Sequence, residues 1–325
     1  MQAEMPSGGT YRRVPLAPHQ RVDRITPTES CFVLAHMGVP RVAAEGWSFR
    51  VKGLVRNRLH LDLAALKAMP QTEIESFHQC AGAPKRADLP MRRVMNVVWS
   101  GVRLADILYR AGVLPEARFI WSYGLDHGTY DGHAVDNYAK DLPLARLDDS
   151  VLIATELNGA PLPPEHGFPA RLLVPGYYGT NSVKWLDRIV LAERRADGPF
   201  TTALYNDPTE QGGTRPVWAV MPESAIVAPA PDARLGLGET EIWGWAWGAL
   251  PIAAVEISTD GGESWRQAAL EPRRQFAWQR FSLAWRPERL GPAVVMARAR
   301  DEAGSVQPPA AARNAVHAVA VEIIP

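Results

Sequence analysis

Apolar positions along the first two-thirds of the chain follow two periods in short, irregular succession. "WSFRVKGLV" alternates and predicts a strand, while "LDLAALKAM" has helical spacing and ends at Pro70. "VRLADILYRAG" places Leu104, Ile107, Leu108 and Ala111 on one face, with Gly112 as the stop, and predicts a helix. "SVLIATELNGAPL" reads as a strand running into an Asn-Gly turn, and "VKWLDRIVLAE" as another strand. No regular strand-helix alternation repeats, so the pattern predicts an α+β fold, not a doubly wound sheet.

From about Asp207 the texture changes. "NDPTEQGGTRPVWAVMPESAIVAPAPDARLG" is rich in Pro and Gly and reads as a connection laid over a surface. The runs that follow, "EIWGWAWGA", "AAVEISTDGGESWRQAAL", "FAWQRFSLAWRP", "AVVMARARDEAG" and "AVHAVAVEII", alternate without any helical signal. They predict a small antiparallel β-sandwich. The expected division is therefore an α+β domain over 1–206 and an all-β domain over 207–325. Seven of the eleven tryptophans follow Asp207 and are expected in the sandwich core or an interface.

Composition narrows the function classes. Lys+Arg and Asp+Glu each total 35, so the formal net charge is zero and no basic field exists to hold nucleic acid or anionic lipid. Any anion site must be local. No apolar run approaches the ~20 residues that span a bilayer, and the start "MQAEMPSGGTYRRVPLAPHQ" lacks the apolar core of a secretory signal, so membrane insertion is not expected. The sequence as given reads as cytoplasmic, or periplasmic if a leader has been removed.

The two cysteines, Cys31 and Cys80, exclude a disulfide-stapled scaffold. Cys31 lies in the apolar run "CFVLAHMGV" and reads as a small buried hydrophobe. Cys80 instead sits in the polar stretch "SFHQCAGAPKR", between a His-Gln pair and a glycine turn. His78 and Cys80 share a strand face, but two further zinc ligands are not supplied nearby, and there is no GxGxxG, Walker A, HExxH or CxxC motif. A cysteine nucleophile with His36 or His166 as base has no specific support.

The segments "TPTESCFVLAHMGVPRV", "SFHQCAGAPKR", "NVVWSGVRLADIL", "ELNGAPLPPEHGFPARLLVPG" and "GTNSVKWLDRIVL" carry a resemblance. In order and spacing they resemble the sulfite oxidase family of molybdopterin enzymes, which also includes eukaryotic assimilatory nitrate reductases. "MPESAIVAPA", "GWAWGALPIAAVEISTDGGESW" and "ARARDEAGSVQP" resemble that family's immunoglobulin-like dimerisation domain. The resemblance runs from about Ile25 to Ala310, and "HGFPARLLVPG" followed by "SVKWL" is its most specific part.

The resemblance implies a mixed α/β molybdopterin-binding domain followed by an immunoglobulin-like sandwich, a molybdenum-molybdopterin cofactor, and a homodimer. Cys80 becomes the thiolate that ligates molybdenum, as suits a soft anionic sulfur. Lys85 and Arg86 would favour the thiolate and leave positive charge beside the metal. His36, Asp126, His166, Arg171, Ser182, Val183 and Lys184 match the family's cofactor-binding positions. Arg171 and Lys184 suit the pterin phosphate, and Asp126 suits pterin N–H groups. Tyr205 matches the tyrosine near the metal.

The implied activity is two-electron oxygen-atom transfer on sulfite or a related sulfur compound, with a separate electron partner such as a c-type cytochrome. The alternatives are a molybdopterin-dependent reductase of a small oxide, and a non-catalytic cofactor- or partner-binding module. The chain also departs from the family. Leu34 and Ala35 stand where sulfite-oxidising members carry Arg-Asn, and "CAGAPKR" replaces "CAGNRR". Leu89 or Pro90 falls near a pocket tryptophan of the animal and plant enzymes. These changes predict an intact cofactor site beside an altered substrate pocket.

Overall fold

The computed structural model describes residues 10–82, 93–209, 211–309 and 313–325. Lys85, Arg86, Leu89 and Pro90 lie outside the described residues. The chain divides into two compact units, and neither is one continuous stretch. The first comprises Met1–Val14, Phe32–Ile74 and Val98–Trp218, and the second Pro15–Cys31, Glu75–Val97 and Ala219–Pro325.

The first unit is mostly strand. A five-stranded mixed sheet runs Ala139–Pro143, Phe119–Gly124, Leu186–Ala192, Ser48–Gly53, Leu59–Asp62, with one parallel pairing, between Leu186–Ala192 and Ser48–Gly53. Leu152–Leu157 pairs antiparallel with Arg171–Leu173, with Ala160–Pro161 and with Trp99–Arg103. The Asn-Gly turn forms as expected, with Asn158 and Gly159 both left-handed at φ 50° and 77°, which suits a two-residue hairpin.

Helices are few and short. Leu104–Ala111 buries the four positions that its period marks, and Gly112 ends it at φ 66°. The Leu104, Ile107 and Leu108 side chains each contribute roughly 1.5–3 kcal/mol on full burial, so the tertiary face, not the eight-residue length, holds this helix. Leu63–Lys67 is a little over one turn, opened by Asp62, whose carboxylate accepts from the Ala65 N–H at 2.7 Å.

The second unit holds the expected sandwich. One sheet orders Glu223–Ala228, Thr240–Trp247, Gln279–Trp285 and Ala269–Leu270, and the other Ala233–Leu235, His317–Ile323, Gly291–Asp301, Ile252–Ser258 and Arg266–Gln267. Ile226, Ile242, Val255, Ile257, Phe281 and Val295 fill the core between them. The stretch expected to be a surface connection is corrected in part. Asn206–Pro208 and Thr214–Pro216 pair as a hairpin, and Glu223–Ala228 is a buried strand. Its apolar run is buried without alternation and flanked by prolines, so no period of two marks it. Trp245, Trp247, Trp278 and Trp285 are buried, and the Trp245 and Trp278 rings stack at 4.9 Å.

The segment that carries Cys80 belongs to this second unit and is tied to its sandwich. Gln79 is fully buried; its Oε1 accepts from Trp247 Nε1 at 2.8 Å, and its Nε2 donates to Glu223 at 2.5 Å. Asn96, on the strand that follows the turn, donates to Glu75 and to the Arg24 carbonyl. A buried amide bonded at both its nitrogen and its oxygen favours one register for the residue before Cys80. No helix among the described residues is long and apolar enough to cross a membrane.

Candidate cofactor site

Within the first unit, eight residues singled out from the sequence come together: His36, Asp126, His166, Arg171, Ser182, Val183, Lys184 and Tyr205. The turn after Arg171–Leu173 and the loop before Leu186–Ala192 do most of the gathering. Leu172 N–H donates to the Val183 carbonyl at 2.8 Å, and Val174 N–H to Ser182 Oγ at 3.0 Å. Arg171 is 2% exposed and reaches back along this loop, donating to the His166 carbonyl at 3.1 Å and the Ser182 carbonyl at 2.9 Å. Its guanidinium lies over the Trp99 ring at 4.8 Å, and burial brings its pKa down to about 9.

Lys184 joins the remaining members. Its Nζ donates to the Leu34 and Glu165 carbonyls, each at 3.1 Å, and sits 4.3 Å from the Trp185 ring centroid. Trp185 itself takes a left-handed φ of 49°, unusual for a bulky residue and held by its Nε1 bond to the Pro164 carbonyl. Two glycines allow the close approach. A Cβ at Gly167 (φ 111°) would meet Lys184 and Arg171 Cβ atoms at 3.1 and 3.2 Å, and one at Gly124 would collide with Asp126 Oδ1 and the Lys184 carbonyl.

The electrostatics follow from burial beside cations. His166 is held neutral, its pKa brought down to about 3 by burial and then by Arg171, Lys184 and Arg13. His36 is likewise brought to about 4 by burial, Lys184 and Arg12. Asp126, 4% exposed, is pushed up to about 7 by burial, against the pull of Lys184. At neutral pH it therefore offers both an acceptor oxygen and a donor O–H.

Tyr205, at φ 57°, places its hydroxyl 2.5 Å from His36 Nε2. The imidazole sits among Tyr130, Tyr138 and Phe200, with ring centroids 4.3, 6.1 and 5.7 Å away. Beside Asp126, Leu125 and His127 line a cleft of about 650 Å³ together with Arg50, Asn137, Asp187 and Arg188.

Cys80 is buried in the second unit, and neither cysteine is in a disulfide. Gly82 N–H points at its Sγ from 3.3 Å, and the Arg93 guanidinium donates to the Gly82 carbonyl at 2.5 Å. Arg313 donates to the Ala81 carbonyl. Two guanidinium groups that the sequence reading did not single out thus stand on the turn carrying the thiol. No signal near Cys80 marks them, since Arg313 is 232 residues from Ala81. Among the described residues, no group of three or more His, Cys, Asp or Glu side chains is arranged to hold a metal ion.

The donor set fits a pterin phosphate and ring. His166 Nε2 is buried with no hydrogen-bond partner among the described residues, a deficit of about 1–3 kcal/mol that a bound group would remove. Arg171 and Lys184 beside Asp126, whose carboxyl burial pushes toward its neutral form, leave the cluster with an excess of positive charge, as an anion requires.

Comparison with known proteins gives the same assignment. Residues 36–200 match the model of the oxidoreductase molybdopterin binding domain, and 215–321 match the Mo-co oxidoreductase dimerisation domain. Mitochondrial sulfite oxidase of Drosophila melanogaster is 30% identical over 92% of this chain, and that of Mus musculus 31% over 93%. The chain spans 59% and 62% of those relatives' own lengths. The crystal structure of the sulfane dehydrogenase SoxCD from Paracoccus pantotrophus superposes with a TM-score of 0.81 at 27% identity, covering 94% of this chain and 85% of that one.

Proposed function

Because the chain belongs to the sulfite oxidase family of molybdopterin-dependent oxidoreductases, we propose that it catalyses two-electron oxygen-atom transfer on a sulfur compound, with sulfite itself a weak substrate. The observation that carries this reading is the cationic cluster of buried Arg171 and half-buried Lys184 around His166, whose Nε2 lacks a partner among the described residues. When bound, the molybdenum cofactor supplies the oxygen-atom and electron transfer. Arg171 and Lys184 hold the phosphate, while Asp126 and His166 meet the polar edge of the pterin. Ser182 and Val183 fix the loop by their own bonds to Val174 and Leu172. His36 and Tyr205 form a neutral hydrogen-bonded pair at the aromatic face.

Cys80 supplies the thiolate ligand, on a turn whose Gly82 and Ala81 carbonyls are held by Arg93 and Arg313. Lys85 and Arg86 are assigned to the substrate side from the sequence alone. Residues 1–206 serve cofactor and substrate, and 207–325 serve dimerisation. The sandwich makes the protein a homodimer, so light scattering at micromolar concentration is expected to give about twice the chain mass of 35.7 kDa. A monomer mass would refute that. Electrons leave through a separate acceptor protein, such as a c-type cytochrome.

The substrate reading rests on Leu34. A sulfite dianion entering a partly desolvated pocket needs compensating cations, and a lost charge-assisted hydrogen bond costs about 1.5–3 kcal/mol, roughly ten- to a hundredfold in affinity. Steady-state kinetics with an artificial acceptor are expected to give a millimolar KM for sulfite, lowered in Leu34→Arg. A micromolar KM in the parent would overturn the substrate assignment. Dimethyl sulfoxide turnover with a reduced dye, in place of sulfur-compound oxidation, would favour the oxide-reductase alternative. Absence of molybdenum and pterin from purified protein would favour the non-catalytic one.

A further inference from the structure

Lys140 is a buried cation that the cofactor reading leaves unused. It lies on Ala139–Pro143, the outer strand of the five-stranded sheet, and is 1% exposed. Its neighbour Asp141 points to the opposite face, as successive strand residues do, and is spent on Arg195 through bonds of 2.7 and 3.1 Å. Among the described residues no carboxylate lies within ion-pair distance of Lys140 Nζ. The ammonium has one acceptor, the Phe200 carbonyl at 2.6 Å, and one aromatic face, the Tyr205 ring centroid at 5.5 Å.

Two further polar atoms stand beside it without partners among the described residues. Ser122, its register partner across the sheet, has a buried unbonded Oγ, and so does Thr201, next to Phe200. An ammonium has three N–H donors, and an unpaired buried charge costs several kcal/mol. A methionine would fill the same volume without that cost. Burial brings the Lys140 pKa down to about 8 against the pull of the Asp141 carboxylate, which is shared with Arg195, so the buried charge is only partly offset and a closer anion would stabilise it.

We propose that Lys140 is a specificity-determining residue that binds the anionic group of the substrate beside Tyr205 and His36, in place of the cation missing at Leu34. The inference rests on the cofactor reading and deepens it. The charge is moved from the strand Val33–Ala35 to the strand Ala139–Pro143, whose Lys140 Nζ lies 5.5 Å from the Tyr205 ring centroid. The pocket then suits a sulfur compound whose anionic end lies away from the position at which sulfite-oxidising members hold it. The pterin phosphate already has Arg171 and Lys184, so the substrate is the anion assigned to Lys140.

The test uses purified holoprotein, with inorganic sulfate as the probe in titration calorimetry. The parent is expected to bind sulfate saturably at one site per chain. Lys140→Met is expected to weaken that binding about ten- to a hundredfold, and Lys140→Arg to keep it within about threefold. Molybdenum and pterin contents are read on the same samples. Equal affinity in parent and Lys140→Met overturns the proposal. So does loss of pterin from Lys140→Met with sulfate binding unchanged, since the anion is then the phosphate.

The parent alone also decides: without saturable sulfate binding the proposal falls, even if Lys140→Met does not fold. A parent lacking molybdenum and pterin sinks the cofactor reading itself. One carrying both but indifferent to sulfate sinks only the role of Lys140.

Discussion

Cys80→Ser is expected to abolish turnover and the thiolate-to-molybdenum charge-transfer absorption while leaving a folded chain. A serine hydroxyl stays protonated at neutral pH and ligates poorly, so the bond to the metal proposed for Cys80 would be lost. The fold has little to lose there, since the Gly82 N–H approaches Sγ at 3.3 Å and an oxygen accepts that bond equally well. The segment itself is held by Gln79 on Trp247 and Glu223 and by the Cys80 N–H on the Arg93 carbonyl. Cys31→Ser is the control. It places a hydroxyl at a fully buried site where the thiol already faces the Pro27 carbonyl at 3.5 Å, and is expected to keep the absorption band and activity with little change in melting temperature. Full activity in Cys80→Ser would sink the molybdenum assignment.

Arg171→Met is the second large effect. The substitution removes a cation from the phosphate side and strips the His166 and Ser182 carbonyls of their buried donor, at about 1–3 kcal/mol for each orphaned acceptor. Pterin retained after purification is expected to fall below about a tenth of the parent's, read by fluorescence of the oxidised pterin. Arg171→Lys keeps the charge but not the fork that reaches both carbonyls, and is expected to fall between the two. Thermal melts separate the roles. A less stable Arg171→Met that still carries a full complement of pterin would make Arg171 a purely structural residue.

How much of this was legible beforehand depended on whether a signal was local. The helix Leu104–Ala111 and the Asn158-Gly159 turn follow from period and backbone chemistry over a few residues, and both formed as read. Glu223–Ala228 did not show itself, because a strand buried on both faces between prolines has no alternation to detect.

The site was legible residue by residue only through the resemblance. Nothing in "EHGFPARL" alone says that the Arg171 guanidinium turns back onto the His166 carbonyl, and nothing near Leu34 says that the Lys184 ammonium caps its backbone. Lys140 was missed because a lysine followed by an aspartate in a five-residue strand looks like a surface pair. Only the three-dimensional structure shows that both are buried, with Asp141 committed to Arg195 and Lys140 to neither. The aromatic group of Tyr130, Tyr138 and Phe200 escaped for the same reason, since its members share no period.

The central claim is that this chain holds molybdenum through Cys80, and molybdenum X-ray absorption tests it most directly. Spectra of the purified parent and of Cys80→Ser, each normalised to metal content, report the number of sulfur neighbours around the metal. The account predicts one sulfur neighbour fewer in Cys80→Ser, with the dithiolene pair unchanged. An identical sulfur shell in the two proteins would contradict it.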